Sequence, residues 1–412
     1  MSRRDVVITG VGLVTPLGAD RERSWARLRE PRSAVARITR FDPSPFRSHV
    51  AAAIDDFDPV ALLDAKVARR TDRCSQLALA ATQEALADAA LPLAEEAPER
   101  VGVMMGTALG GIGFAEQENA KYVEGGLRAV DPLLALTVFG GAVSCNIAIA
   151  HAITGVNATN AMSCASGTLA IGEAYRAIAD GRADVMLAGG SEAPLYPLCF
   201  GSFAMIRAMS TRNDDPATAS RPFDTGRDGF VMAEGAAVLV LEEADRAMRR
   251  GATIYGRVAG FGLTNDAHHM TRPRPDGREV VRAMTTAIAD AGIAPRDVAW
   301  VNAHGSSTPL NDAGEAEAIR TVFGRHADQL LVSGSKGWHG HALGASGAIE
   351  TAFAALALRD GWVPGSLNCE NPVTEGGLTF LPPGGVTGRP ATVLKQSFGF
   401  GGTNAALVLA RD

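Results

Sequence analysis

The chain has 412 residues, of which 46% are hydrophobic and 20% charged, and a net charge of −6. This is a globular composition with enough apolar material for a large core, arranged as two or three domains or one large duplicated one. An acidic chain without a Lys/Arg run speaks against a nucleic-acid partner, and no run of about 18 apolar residues supports a membrane span.

The N-terminal "MSRRDVVITGVGLVTPLG" enters a strand-like run broken by Gly10 and Gly12, without the apolar core or cleavage site of a signal peptide. In chain order, "DVVITGV", "RVGVMMG", "ADVMLAGG", "AAVLVLEE", "VAWVNAHG", "QLLVSGSK" and "NAALVLA" have the pattern of buried strands. Between them, "CSQLALAATQEALADAA", "GTLAIGEAYRAIADG", "VVRAMTTAIADAG" and "GAIETAFAALALRDG" have the pattern of helices. Such alternation predicts an α/β fold of largely parallel sheets covered by helices.

The pattern occurs twice. "GVNATNAMS" leads into Cys164 and a Gly/Ala-rich helix; "LLVSGSKGWHGHALGASGAIETA" leads through a His-containing turn into a similar one. Late in each half comes a hydrophobic strand flanked by a Gly pair, "VMLAGGSE" and "GGTNAALVLA". The repeat predicts a duplication joined near Arg250–Gly251, with the Cys164 and His341 turns at equivalent points facing one centre.

Five scattered cysteines, an odd number, suggest a reducing, cytoplasmic setting without disulfides. Cys74, Cys145, Cys199 and Cys369 suit packing. Cys164 falls at a helix start, where unpaired N–H groups and the dipole would lower a thiol pKa. The pattern alone leaves a reactive and a packing Cys164 both open.

His304 and His341 end up in Gly-flanked loops beyond strand-like runs, where α/β proteins build sites. A metal site from His304, His339, His341 or His268–His269 lacks supporting carboxylates and paired cysteines. Lys336, five residues before His341, and Glu315, read as beginning the helix after the His304 loop, are either a buried pair fixing both loops or solvated charges. "SFGFGGTN" is a tight turn able to aim N–H groups at an oxyanion, or a plain structural turn. It lacks the Lys of a phosphate loop and precedes a strand.

On "VVITGVGLVTPLG", "SCASG", "SRPFDTGRDGFVMAEGAAVLVLEE" (220–243), "AHGSSTPLNDAGEAEAI" (303–319), "SKGWHGHALGASGAIE" (335–350) and "SFGFGGTNA" (397–405), nearly the whole chain resembles the elongating, type II β-ketoacyl-[acyl carrier protein] synthases. The resemblance implies the thiolase fold: two βαβαβαββ halves, 1–250 with the nucleophile and dimer-interface insertions and 251–412 with the two histidines, in five αβαβα layers. It implies an acyltransferase that condenses malonyl-carrier protein with an acyl chain held on Cys164.

By position, the resemblance makes His304 and His341 the decarboxylation pair and Lys336 and Glu315 their supporting ion pair. Phe400 becomes the acyl-pocket gate, whose N–H completes an oxyanion hole with that of Cys164. Thr271, Ser306 and Thr308 would contact the phosphopantetheine arm, with Ser306 standing where Thr is common. Leu109 and Phe203 would line the acyl pocket, and Phe398 is a further substrate contact in the Gly-rich turn. Lys66, Arg69, Arg70 and Arg207 would dock the acidic acyl carrier protein. No cofactor is implied beyond the carrier's phosphopantetheine, and a homodimer is the expected assembly. "AMSCASG" and "GWHGHALG" depart from primary-metabolism patterns. They keep open a polyketide or polyene ketosynthase subunit paired with a Cys-less chain-length-factor homologue. From a different class, a non-catalytic scaffold sharing a thiolase-like fold is the other alternative.

Overall fold

In this computed structural model, which describes residues 3–411, ten strands form one hydrogen-bonded sheet. The first half supplies β1 (Val6–Val14), β2 (Val101–Gly106), β3 (Asn157–Asn160), β4 (Val185–Glu192) and β5 (Gly235–Glu243). The second supplies β6 (Gly256–Asn265), β7 (Trp300–Asn302), β8 (Leu331–Ser333), β9 (Thr392–Gly399) and β10 (Thr403–Ala410). The order across the sheet is β8-β7-β9-β10-β6-β1-β5-β4-β2-β3. Read outward from the centre, each half runs first, fifth, fourth, second, third strand, so one topology is used twice. The halves join where β1 meets β6, at Val7–Arg257 and Ile8–Gly256.

Pairing is parallel only among the outer strands of each half, β4-β2-β3 and β9-β7-β8. The central pairs are antiparallel, which corrects the expectation of largely parallel sheets. Strands β9 and β10 form a hairpin, and such neighbours pair antiparallel; β4 and β5 pair the same way across a longer connection that carries the helix Pro197–Met205. The equivalence of the two Gly-flanked strands also changes. "VMLAGGSE" is β4 and matches β9, whereas β10 matches β5.

Five helices build the layers: α1 (Arg73–Asp88), α2 (Ser166–Ala179), α3 (Arg278–Asp290), α4 (Pro309–Phe323) and α5 (Ser346–Asp360). Strand alternation feeds different cores from opposite faces. On β5, Ala237, Leu239 and Leu241 enter the central core, while Ala236, Val238 and Val240 enter the outer core under α1. On β10, Ala405, Leu407 and Leu409 enter the central core, and Ala406 and Val408 the outer core with α3 and α4. α2 and α5 fill the middle layer, and α5 is buried on every side from Ser346 to Leu358. Its Ala/Leu/Phe sequence has no polar stripe, as a helix covered on both sides requires. Helix, sheet, helices, sheet, helices make five layers.

Gly10 and Gly12 do not interrupt β1. A Cβ at Gly10 would lie 2.3 Å from Ala85 O and one at Gly12 1.9 Å from Ala81 O, so these positions let α1 sit directly on the strand. β6 repeats the device: Gly260 and Gly262 would meet Ala287 O and Ala283 O of α3 at 2.2 and 2.1 Å. No described helix is long and apolar enough to cross a membrane.

Candidate active site

The two helices of the middle layer begin alike. A single 3-10 turn, Ser163–Ala165, precedes α2, and its equivalent, Leu343–Ala345, precedes α5. Ser163 and Leu343 both take positive φ, 51° and 41°. Cys164 is thus equivalent to Gly344, with His341 three residues upstream. The helices cross at Gly167 and Gly347. A Cβ on Gly167 would sit 2.7 Å from Ala348 N, and one on Gly347 would sit 2.2 Å from Thr168 Oγ1. Only this close crossing lets both turns reach one centre.

That centre is a cavity of about 1030 Å³ lined by Cys164, His304, His341, Phe398 and Phe400, with Phe203 on its wall. The His304 and His341 rings meet edge to face, centroids 5.3 Å apart. Phe398 lies edge-on to His304 at 5.6 Å and Phe230 edge-on to His341 at 5.4 Å. Phe203 stacks on Phe400 at 6.4 Å. Gly399 packs against the turn of Cys164, and the Phe400 N–H lies near enough to the Cys164 sulfur to favour its thiolate. Thr271, Ser306 and Thr308 line the same cavity, with the Ser306 and Thr308 hydroxyls 2.8 Å apart.

The supporting ion pair is not the expected one. Lys336 Nζ lies 2.5 Å from Glu350 Oε1 and also donates to His304 O at 2.5 Å. Glu315 lies mid-way along α4, not at its start, and clamps the His304 loop. It accepts from His304 N (2.6 Å), Gly305 N (2.9 Å), Asn311 Nδ2 (3.1 Å) and Gln396 Nε2 (2.8 Å). Four donors satisfy the carboxylate without a cation. Glu350 stands in the apolar run "GAIETAFAALA", where its one charged letter was the available signal. Both residues are buried, so neither is a solvated surface charge.

Burial pushes the Cys164 thiol up to about 11, although Ser163, Lys336 and the Phe400 N–H pull the other way. The expected depressed pKa is therefore overturned: Cys164 precedes α2 inside a desolvated pocket, and desolvation outweighs the dipole. Burial, then Lys336, hold both imidazoles well below the ordinary histidine value, so they are neutral. Lys336 Nζ is 3.5 Å from His304 Nδ1. An ammonium can only donate there, which puts the ring proton on Nε2. His341 Nδ1 bonds Ser346 Oγ at 2.8 Å, leaving Nε2 as its other nitrogen.

Other expected residues are dispersed. Leu109 does not line the cavity but packs in the apolar cluster that includes Cys164. Its N–H and those of Ala108 and Gly344 are gathered by buried Glu192, which sequence reasoning did not single out. Arg207 is exposed at the cavity mouth, together with Arg272 and Arg278. Lys66, Arg69 and Arg70 are exposed on and beside the short helix Ala65–Ala68 and do not line the cavity. His339 turns away to Ser335 Oγ (2.9 Å). Among the described residues no group of three or more His, Cys, Asp or Glu gathers to hold a metal.

The Beta-ketoacyl synthase N-terminal domain family matches residues 3–247 and the Beta-ketoacyl synthase C-terminal domain family residues 255–370. The chain is 44% identical over 411 residues to 3-oxoacyl-[acyl-carrier-protein] synthase 2 of Coxiella burnetii (strain RSA 493 / Nine Mile phase I), covering 100% of this chain and 99% of the relative. Among solved structures, it superposes with TM-score 0.92 on a ketosynthase in complex with its type II polyketide synthase acyl-carrier protein, 32% identical and covering 100% of both chains. The ishigamide ketosynthase/chain length factor gives the same TM-score at 30% identity, again over 100% of both chains. The chain belongs to the β-ketoacyl synthase family and has its thiolase fold.

Proposed function

We propose that the protein catalyses decarboxylative Claisen condensation of malonyl-acyl carrier protein with an acyl chain held on Cys164, elongating fatty acyl chains by two carbons. The observation carrying this reading is the single cavity shared by Cys164, His304, His341 and Phe400.

In the first half-reaction Cys164 attacks the acyl thioester. Its proton passes to a neutral imidazole as the sulfur–carbon bond forms, then to the departing pantetheine thiolate. The Phe400 and Cys164 N–H groups hold the tetrahedral oxyanion. In the second, malonyl-carrier protein loses CO2. The resulting enolate oxygen accepts from the Nε2–H of His304 and from His341, both neutral and buried. The enolate carbon attacks the acyl-Cys164 thioester, and collapse releases the β-ketoacyl thioester and the Cys164 thiolate, which takes up a proton.

The substrate's phosphopantetheine arm runs past Thr271, Ser306 and Thr308, whose hydroxyls suit its amides. The carrier protein docks at the mouth beside Arg207; Lys66, Arg69 and Arg70 form a second, separate contact. We place the divide between the halves at 250/251, in the link before β6. A homodimer built along the free edge of β3 accords with Ile149, an exposed apolar residue on the helix Ala142–His151 that packs on that strand. We assign it to the cytoplasm on its five free cysteines. Higher identity to a 3-oxoacyl-[acyl-carrier-protein] synthase 2 (44%) than to a type II polyketide ketosynthase (32%) favours fatty acyl elongation over the polyketide class.

The test is to supply acyl- and malonyl-carrier protein and identify the product by mass. A β-ketoacyl chain two carbons longer supports the reading; activity only after adding a Cys-less homologue moves the protein to the polyketide class.

A further inference from the structure

A second lysine lies fully buried behind the site. Lys395, on β9, has no exposed surface, and its ammonium stands 2.8 Å from Glu350 Oε2. Glu350 thereby bridges two ammonium groups: Lys336 at Oε1 (2.5 Å) and Lys395 at Oε2, the latter an ion contact without hydrogen-bond alignment. Lys395 also donates to Gln396 O, and the Gln396 side chain donates to Glu315. Lys395 is in register with Asn302 of β7, whose amide donates to Glu350 O at 3.1 Å. The Lys336 turn and β9 therefore meet at the Glu350 carboxylate of α5, and β7 is tied to the backbone of the same residue.

We propose, resting on the condensing function above, that Lys395 is a positioning residue for decarboxylation: by sharing Glu350 with Lys336 it sets Lys336 against His304 and supplies the second positive charge behind the two imidazoles. A carboxylate shared by two cations holds each less tightly than it would hold one. Lys336 thus remains free to reach His304 O and Nδ1. Without Lys395, Glu350 keeps one partner, so no orphan charge is left, but Lys336 is drawn toward the carboxylate.

The charged and titratable groups around the imidazoles are Lys336 and His339 from the turn before His341, Lys395 from β9 and Cys164 from the turn before α2; Glu315 of α4 reaches only the His304 backbone, and Glu350 of α5 faces the two lysines and His339. Deleting one cation from this set makes His304 and His341 easier to protonate.

The test compares Lys395→Met and Lys395→Arg with the unaltered enzyme, measuring CO2 release from malonyl-carrier protein against pH and, separately, acylation of Cys164. In Lys395→Met, decarboxylation kcat falls roughly tenfold with KM near unchanged, and its acid limb moves to higher pH. Acylation stays within about twofold, and Lys395→Arg returns the limb toward its original position. An unmoved acid limb, or decarboxylation and acylation falling in parallel, overturns the assignment. Should Lys395→Met not fold, Lys395→Gln serves the same comparison. An unaltered enzyme that releases no CO2 refutes the condensing function itself, not this role of Lys395.

Discussion

His304 and His341 meet edge to face at 5.3 Å although one follows β7 and the other precedes α5. Their meeting depends on groups that neither loop contains. Glu315 fixes the backbone of the first, and pairing of His341 N with Val231 O (2.7 Å) fixes the second. The two rings then share Lys336 as a charged neighbour. Neutral imidazoles held this way donate hydrogen bonds without a proton having to move first.

Decarboxylation is expected to hold its rate as pH falls through 6.5, the ordinary histidine value, because burial and Lys336 keep both rings neutral well below it. Stability follows the same groups. The unfolded chain takes up protons first, so the stability these histidines contribute is complete above about 6.5 and is lost as pH falls toward their depressed folded values. Glu315 acts in the opposite sense: burial raises it to about 7, so its contribution is present in acid and lost as pH rises through that value. A pH–rate profile for CO2 release checks the first point; an acid limb centred on 6.5 contradicts it.

Glu350→Gln is expected to destabilise the fold by about 3–5 kcal/mol, since it leaves two buried ammonium groups facing each other. Burial works to raise the Glu350 carboxyl, yet Lys336 and Lys395 hold it below the usual range. In double-mutant cycles read by denaturant unfolding, Lys336→Met should couple strongly to Glu350→Gln and be near additive with Glu315→Gln. Strong coupling between Lys336 and Glu315 instead would restore the pair expected from sequence.

Gly399→Ala is expected to reduce Cys164 acylation roughly tenfold while the protein still folds. The added methyl would lie 2.8 Å from Met162 O and 3.2 Å from Cys164 N, pushing the Phe400 N–H off the sulfur. Single-turnover acyl transfer followed by mass checks this, with a thermal melt as the control for folding.

Arg207→Glu is expected to raise KM for carrier-bound substrates several-fold, with stronger effect at low salt, and to leave reaction with a small pantetheine thioester unchanged. Arg207 stands exposed at the cavity mouth, whereas Lys66, Arg69 and Arg70 do not line it. Equal effects on both substrates would mean that Arg207 acts on the fold and not on docking.

The strands with dense Val, Leu and Ile, the four helices between them and the duplication were legible as local pattern. β6 and β9 were not. Gly256, Gly260 and Gly262 punctuate β6, and Lys395, Gln396 and Ser397 give β9 the polar character of a loop. Both are strands because tertiary packing decides: close helix approach requires the glycines, and the polar run is buried against α4 and α5 where Glu315 and Glu350 receive it. At the site, Cys164, His304, His341 and Lys336 were recognisable from their turns. The partner of Lys336 was not, because Glu350 lies inside an apolar helix and only the return of α5 beneath the Lys336 turn brings it to that lysine.

The most direct measurement of the central claim is the intact mass of the enzyme after incubation with acyl-carrier protein. The unaltered enzyme should gain one acyl mass, mapped by peptide analysis to Cys164, and Cys164→Ala should gain none. An acyl adduct of equal yield on Cys164→Ala, or mapping to Cys74, Cys145, Cys199 or Cys369, would contradict the account.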